Sequence, residues 1–262
     1  MKKKNLNGMH RIIKIILNLF SRKFLIKISL LLKPIFELIF KGNNFRDPIN
    51  NKSYSYFFPY GYNKLRKNAL SPGTLSLERH RLLWIFLQEE TNFFNPNNKI
   101  LHIAPEQCFY KIFKKKFDSY TTCDLNSPLA EIKADICNLP FRENEFDYVL
   151  CNHVLEHVYD DEKAMREIYR VLKLKGNAIL QVPINETLEN TIDGRDTKDK
   201  NLRNKLFGQY DHLRIYGKDY YDKLIKVGFK VEKIDQTKKM DESSILKFSL
   251  IEGEIIPFCT KI

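Results

Sequence analysis

The sequence has few of the residues that stabilise small secreted proteins or build low-complexity chains. Its 262 residues include five cysteines, an odd number, and no Cys-x-x-Cys pair. Neither a disulfide framework nor a structural zinc site is therefore predicted. Ten glycines and ten prolines are too few for a collagen-like or low-complexity chain. We expect a packed cytoplasmic protein with reduced thiols.

Long apolar runs are missing as well. In residues 9–40 a polar or charged residue interrupts the sequence every few positions, whereas a membrane-spanning helix needs about 20 predominantly apolar residues. Lys14 and Asn18 also break the apolar region that a cleavable secretory signal requires. The sequence thus predicts neither a spanning helix nor a secretory signal.

Acidic residues are almost absent from the N-terminal extension, residues 1–46. This segment has eleven Lys or Arg residues and one acid, Glu37, while the rest of the chain is nearly neutral. A nucleic-acid-binding protein would spread its positive charge over the folded domain. No Asn-Pro-Pro-Tyr-type motif is present to receive a flipped base. We expect no nucleic-acid partner.

The N-terminal extension has the pattern of a basic amphipathic helix. Polar and apolar residues recur at helical spacing over residues 11–33, and Pro34 should end or kink the helix. Three partners fit such a helix over residues 9–40: an anionic membrane surface, which would make the protein peripheral at the inner membrane, its own catalytic domain, or another protein.

Residues 47–90 are predicted to contain a loop-rich connector and one helix. The stretch up to about residue 75 is rich in Asn, Pro and Tyr and has little periodicity. Thr74 or Ser76 is placed to cap a helix over residues 76–90.

From residue 99 onwards, strand patterns alternate with helix patterns. Buried-strand patterns occur at residues 99–104, 119–125, 131–136, 146–152 and 177–183. Helical patterns occur at residues 109–117 and 159–176, the second with Asp160 as its cap and Gly176 at its end. The alternation predicts an α/β protein with a parallel sheet covered on both faces.

Two aspartates follow successive strands of this predicted sheet. Ligands of such sheets bind beyond the carboxyl ends of the strands. Asp124 ends the second strand and Asp135 the third. A carboxylate at the first position can accept both hydroxyls of a ribose, and the second is placed to accept an adenine amino group beside the apolar Ile136.

Several motifs together resemble class I S-adenosylmethionine-dependent methyltransferases with a methyltransferase type 11 domain. The motifs are TTCDL, KADICNLPF, FDYVLCNHVLEHV, RVLKLKG and NAILQVP. The resemblance implies a Rossmann-like, mostly parallel seven-stranded sheet with its last strand antiparallel, over residues 91–262, with a substrate lid at about 184–217. It implies S-adenosyl-L-methionine as cofactor. The implied cofactor-binding residues are Ala104, Glu106, Asp124, Leu125, Asp135, Ile136 and Asn152.

The first strand departs from the family pattern. The family has a glycine-rich turn after this strand, but residues 102–108 read HIAPEQC and contain no glycine. We interpret this as the turn of a bacterial subgroup with the form LHIAPE, in which Glu106 replaces the missing acid and pairs with the α-ammonium group of the cofactor. The alternative is a degenerate fold that has lost its cofactor and serves as a non-catalytic scaffold or partner-binding protein.

A related subgroup carries two Cys-Pro-x-Cys knuckles upstream. The corresponding residues here are 47–50, DPIN, and 71–74, SPGT, so no thiolate is available. Ser, Thr and Asn are poor zinc ligands, and no metal site is predicted.

Methyl transfer needs alignment more than a nucleophile motif. His153 and His212 are the candidate bases, and Arg214 and Tyr210 the candidate substrate-binding residues. A nicotinamide-dependent dehydrogenase is not expected because no Gly-x-Gly-x-x-Gly turn is present. We therefore expect methyl transfer to a small-molecule or lipid-linked acceptor.

Overall fold

The computed structural model describes residues 22–61 and 65–262. The chain divides into two units, which we call the sheet unit, Leu83–Met240 with Glu252–Ile262, and the N-terminal unit, Met1–Leu82 with Asp241–Ile251. Within the described ranges, no helix is long and apolar enough to cross a membrane. The first half of the predicted basic helix lies outside these residues, and its membrane-surface role stays a prediction.

A seven-stranded sheet is the centre of the sheet unit. Its strands are β5 (Lys99–Ile103), β6 (Ser119–Asp124), β7 (Ile132–Lys133), β8 (Phe146–Cys151), β9 (Leu172–Ile179), β12 (Phe229–Ile234) and β13 (Ile256–Lys261). The spatial order is β12-β13-β9-β8-β5-β6-β7. Neighbours pair in parallel from β9 to β7, and β13 is antiparallel to both β9 and β12. The predicted fold class is confirmed.

Helices connect the strands of the sheet unit. They are α2 (Glu78–Glu89), whose first residues belong to the N-terminal unit, α3 (Gln107–Lys116), α4 (Asp161–Val171), α5 (Lys200–Phe207) and α6 (Tyr220–Val227). The cap of α4 is as predicted, because the Asp160 side chain accepts from Lys163 N at 3.0 Å. The short strands β10 (Ile192–Asp193) and β11 (Arg214–Ile215) pair within the predicted lid insertion.

The sequence misplaced the end of α4. We expected the helix to continue to Gly176, but it ends at Val171 and β9 begins at Leu172. Leu172 is fully buried and pairs with Phe146 of β8. Sheet pairing therefore overrides the helical pattern of the segment. β7 is also shorter than expected, because a turn begins at Asp135, whose Oδ1 accepts from Cys137 N.

The N-terminal unit begins with α1 (Arg22–Ile39), and its last helix is α7 (Glu242–Phe248). The helix α1 passes through Pro34 instead of ending there. Three apolar side chains near its end are exposed: Ile35, Leu38 and Ile39.

The predicted loop-rich connector contains two antiparallel ribbons. One pairs β1 (Lys41–Asp47) with β2 (Lys52–Tyr54), and the other pairs β3 (Phe58–Tyr60) with β4 (Arg66–Leu70). Their residues include few of the alternating apolar positions by which strands are predicted. The residue pattern therefore does not predict the strands β1–β4.

Hydrogen bonds around Asp47 connect the two positions where the related subgroup has cysteines. Asp47 is fully buried. Its Oδ1 accepts from Ile49 N at 3.0 Å, and its Oδ2 accepts from the hydroxyls of Thr74 and of Ser76, the latter at 3.2 Å. A buried carboxylate must be paired or hydrogen-bonded. These hydrogen bonds therefore hold residues 47–50 and residues 71–76 together.

We expect Thr74→Val to lower the free energy of unfolding of the N-terminal unit by about 1–3 kcal/mol, because it leaves a buried carboxylate oxygen with one donor fewer. Hydrogen exchange of the β1–β4 amides measures this loss. Thr91→Val, which removes a hydroxyl that donates to Leu87 O in the sheet unit, is the control and should leave those amides unchanged. Equal protection in Thr74→Val and the unmodified protein would contradict the prediction.

Candidate functional site

The site lies where the strand order of the sheet reverses. β5 and β8 are neighbours, but the chain continues from β5 to β6 on one side and from β8 to β9 on the other. Ala104 follows β5 with a φ of 51°, and His153 follows β8 with a φ of 55°. Non-glycine residues adopt this left-handed conformation only at a cost of about 1 kcal/mol or more. Such strain is found at functional sites in many proteins.

A cavity of about 580 Å³ opens beyond the ends of β6 and β7. This volume is in the range of small-molecule sites. Four predicted cofactor-binding residues line it: Asp124, Leu125, Asp135 and Ile136. The opposite wall includes Val154, His157, Val158 and Tyr159. The structure thus places both aspartates at one cavity with apolar side chains around it.

Backbone hydrogen bonds hold the two aspartates in position. Asp124 Oδ1 accepts from Asn126 N at 2.7 Å and from Ser127 N. Asp135 Oδ1 accepts from Cys137 N at 2.9 Å. Burial, followed by the charges of Asp135 and Asp160, raises the pKa of the Cys137 thiol to about 11. The thiol is therefore neutral at pH 7 and adds no charge to the cavity wall near the two aspartates.

A hydrogen-bonded chain replaces the glycine-rich turn of the family. His102 is fully buried, with Nδ1 2.8 Å from the Tyr120 hydroxyl and Nε2 bonded to Glu106 Oε2. The Asn152 amide donates to Glu106 Oε1 at 3.1 Å. Burial, and then the charge of Glu106, raises the pKa of Tyr120, so its hydroxyl remains protonated. These hydrogen bonds connect Tyr120 near the start of β6, His102 of β5 and Asn152 after β8, and they fix the Glu106 carboxylate.

A second group of titratable side chains follows β8. Glu156 is 1% exposed, and its Oε1 lies 3.4 Å from His153 Nδ1. Burial opposes ionisation of Glu156, but the hydrogen bond and charge of His153 and the charge of His157 outweigh it and lower the pKa of the carboxyl. Glu156 is therefore a buried anion at neutral pH.

His212 joins this group from the lid insertion. Its ring centroid is 4.8 Å from that of His157 in an edge-to-face arrangement. Burial lowers the pKa of His212, although the charge of Glu156 acts in the opposite direction. The two predicted bases, His153 and His212, thus both lie near one buried carboxylate, that of Glu156.

The predicted role of Arg214 as a substrate-binding residue does not fit its position. Its side chain is fully buried. Nη1 donates to Leu155 O at 2.9 Å and to Val158 O at 2.5 Å, and Nη2 donates to Tyr159 O at 3.0 Å. We therefore interpret Arg214 as a positioning residue for the loop after β8. Tyr210 is exposed, with Lys200 Nζ 5.8 Å from its ring centroid, and its substrate contact stays a prediction.

Sequence analysis missed His157 and Glu156 as site residues. The signal that could have found them is the adjacent Glu-His pair directly after a strand end. Their proximity to His212 depends on how the lid insertion folds back, which no local spacing records.

The comparisons with known proteins agree with this architecture. The family described as "Methyltransferase domain" matches residues 99–180, which include β5–β9 and both aspartates of the cavity. An uncharacterized protein of Methanocaldococcus jannaschii is 50% identical over 58 residues, 22% of this chain and 25% of that protein. The match therefore spans only a quarter of that relative. A second uncharacterized protein of the same organism is 28% identical over 150 residues, 54% of this chain and 70% of the relative.

Among solved structures, a SAM-dependent methyltransferase from Archaeoglobus fulgidus is similar at 13% sequence identity and a TM-score of 0.46. The similarity covers 69% of this chain and 93% of the other. The family match at residues 99–180 coincides with the strands of the site, and the sheet has the seven strands and the antiparallel last strand that the resemblance implied. Residues 99–180 of this chain thus match a methyltransferase domain.

Proposed function

We propose that this protein transfers a methyl group from S-adenosyl-L-methionine to a small-molecule or lipid-linked acceptor. The observation that carries the proposal is the cavity at the ends of β6 and β7, which has Asp124 and Asp135 on its wall. Two carboxylates beside apolar side chains fit a nucleoside, whose ribose hydroxyls and base amino group are donors and whose base is flat and apolar.

The residues present fit the cofactor. Asp124 Oδ2, which has no hydrogen-bond partner within the described ranges, would accept from the ribose hydroxyls. Asp135 would accept from the adenine amino group, with Leu125 and Ile136 as apolar neighbours. Glu106, held beside Asn152, would receive the α-ammonium group. The small side chain of Ala104, in its left-handed turn, supports close approach of the backbone.

The residues of this chain then have few chemical roles in the transfer. The cofactor supplies an electrophilic methyl group on a sulfonium. The protein orients the acceptor, excludes water and accepts a proton where the acceptor is a hydroxyl. His153 lies next to Asn152 at the end of β8, is partly exposed, and is a candidate for that proton transfer.

The alternative, a non-catalytic scaffold, is favoured by the turn without glycines. Equilibrium binding of S-adenosylhomocysteine in a calorimeter distinguishes the two functions. We expect one site of micromolar affinity for an enzyme. A protein that binds no S-adenosylhomocysteine at millimolar concentration would support the scaffold instead.

Glu106→Gln should weaken binding of S-adenosylhomocysteine about tenfold. The substitution keeps an oxygen that accepts from Asn152 but removes the charge opposite the α-ammonium group, and a hydrogen bond to a charged group contributes about 1.5–3 kcal/mol. Glu131→Gln is the matched control, because it removes the same charge from an exposed pair with Lys114. Equal affinities of the two variants would count against the role of Glu106.

A further inference from the structure

Three side chains with metal-binding atoms meet beyond the end of β8. One carboxylate oxygen of Glu156 and one ring nitrogen each of His157 and His212 lie within 4.8 Å of one another. Glu156 and His157 belong to the 3₁₀ turn Leu155–His157, and His212 lies just before β11 in the lid insertion. The fold thus assembles the group from two distant parts of the sequence.

Glu156 provides an independent indication that a cation binds here. The side chain is buried, and Oε2 has no hydrogen-bond partner in the part of the chain that the structure describes. A carboxylate oxygen that is removed from water without a partner costs several kcal/mol. A cation between this oxygen and the two imidazoles would remove that cost.

The hydrogen bonds of His157 prepare it as a ligand. Its Nδ1 is 3.1 Å from Asp211 O, a carbonyl that can only accept, so Nδ1 carries the proton. The lone pair is then on Nε2, as in metal-binding histidines whose other nitrogen donates to a carbonyl or carboxylate.

We propose that Glu156, His157 and His212 bind one divalent transition-metal ion of the zinc class. Two imidazoles and one carboxylate are the ligands of open catalytic zinc sites, and imidazole nitrogens disfavour Mg²⁺ and Ca²⁺. Atoms that bind one ion at about 2.0–2.2 Å lie at most about 4.4 Å apart. The observed spacing therefore needs only a small rotation of the side chains to reach bonding distance.

The position of the ion would connect it to the cofactor cavity. His157 is one of the ligands and also lines the cavity that contains Asp124 and Asp135. The next step rests on the proposed methyl transfer. The position of the ion beside the cofactor cavity points to an acceptor whose hydroxyl coordinates the metal. A bound cation lowers the pKa of such a hydroxyl. Methyl transfer to this hydroxyl would form the O–CH₃ bond as the S–CH₃ bond breaks, with the electron pair staying on sulfur and the hydroxyl proton released to solvent. His212 is then a ligand and not a base.

Zinc titration of the full-length, chelator-treated protein tests the site. In a calorimeter we expect one equivalent of Zn²⁺ to bind with micromolar or higher affinity, and Mg²⁺ not to bind at millimolar concentration. Glu156→Gln and His212→Ala should weaken zinc binding at least 30-fold. His157→Ala is the variant least able to disturb folding, because its side chain is one-third exposed, and it should show the same loss.

Asp124→Ala is the matched control, because it changes a different wall of the same cavity. It should keep zinc affinity within threefold while losing S-adenosylhomocysteine, whereas His212→Ala, which changes a ligand outside the lining of the cavity, should lose zinc and keep S-adenosylhomocysteine within threefold. Failure of the metal site and failure of the methyltransferase function are thereby distinguishable. The proposal is overturned if no zinc binds, if Mg²⁺ binds in preference to Zn²⁺, or if zinc affinity is unchanged in His157→Ala and Glu156→Gln.

Discussion

Asp124→Ala should reduce the affinity for S-adenosylhomocysteine several-hundred-fold. The carboxylate is at the end of β6 on the wall of the cavity, and Oδ1 is already held by the amides of Asn126 and Ser127. The other oxygen, Oδ2, is the acceptor that the proposed ligand would use. Loss of two hydrogen bonds to a charged acceptor costs about 3–4 kcal/mol, which isothermal calorimetry measures directly.

Two further variants distinguish the loss of the ligand contact from damage to the turn after β6, which contains Asp124. Asp124→Asn retains an oxygen for Asn126 N and Ser127 N but removes the negative charge, so its loss should be nearer to tenfold. Asp118→Ala changes an exposed aspartate just before β6, at the opposite end of the strand, and should leave the affinity unchanged. If Asp124→Ala binds as tightly as Asp118→Ala, the nucleoside does not occupy this cavity.

The sheet and its two aspartates were predictable because the relevant signals are local. β5 and β8 contain short apolar runs, β6 is rich in threonine and aromatic residues that favour strands, and the aspartates follow strands whose carboxyl ends must meet at one edge. Such a prediction needs only the alternation of strands and helices. The same reasoning fails at β1–β4, where strands such as KGNNFRD have no apolar alternation. Their stability comes from tertiary contacts, including those of the buried Asp47.

Residues that act through long-range packing were the ones missed. His212 is separated from Glu156 by α4, β9 and most of the lid insertion, and no spacing rule predicts that their side chains meet. Arg214 was assigned to the substrate because an arginine near a lid is a plausible anion ligand. Its complete burial, which reverses that assignment, depends on backbone carbonyls that any sequence would supply.

The turn after β5 contains a left-handed residue that is not glycine. Glycine provides a left-handed φ and close backbone approach. Here Ala104 adopts the left-handed φ. The hydrogen-bonded chain from Tyr120 through His102 to Glu106 and Asn152 then fixes the turn from the protein interior. A residue in a strained backbone conformation persists only where the surrounding structure holds it in place.

Arg214→Met should lower the free energy of unfolding of the sheet unit by about 3–5 kcal/mol, because it removes one partner of a buried ionic network. Its guanidinium binds three backbone carbonyls between Leu155 and Tyr159, and Nη2 is 3.6 Å from a carboxylate oxygen of Asp161 and of Asp193. Methionine fills similar space but removes one donor from each of these carbonyls and the nearer of the two arginines beside Asp161, which is 1% exposed.

Urea unfolding followed by the fluorescence of Trp84 measures this loss, because Trp84 is the single tryptophan of the chain and lies buried in the sheet unit. Arg166→Met is the matched control. Its guanidinium pairs with Glu162 at 3.0 Å on an exposed face of α4, where an ion pair contributes less than about 1 kcal/mol. Equal destabilisation by the two substitutions would show that the carbonyls after β8 do not depend on Arg214. A large difference would mean that Arg214 fixes the loop that carries Glu156 and His157. The position of these two candidate metal ligands would then depend on a buried arginine and not on the sequence of the loop itself.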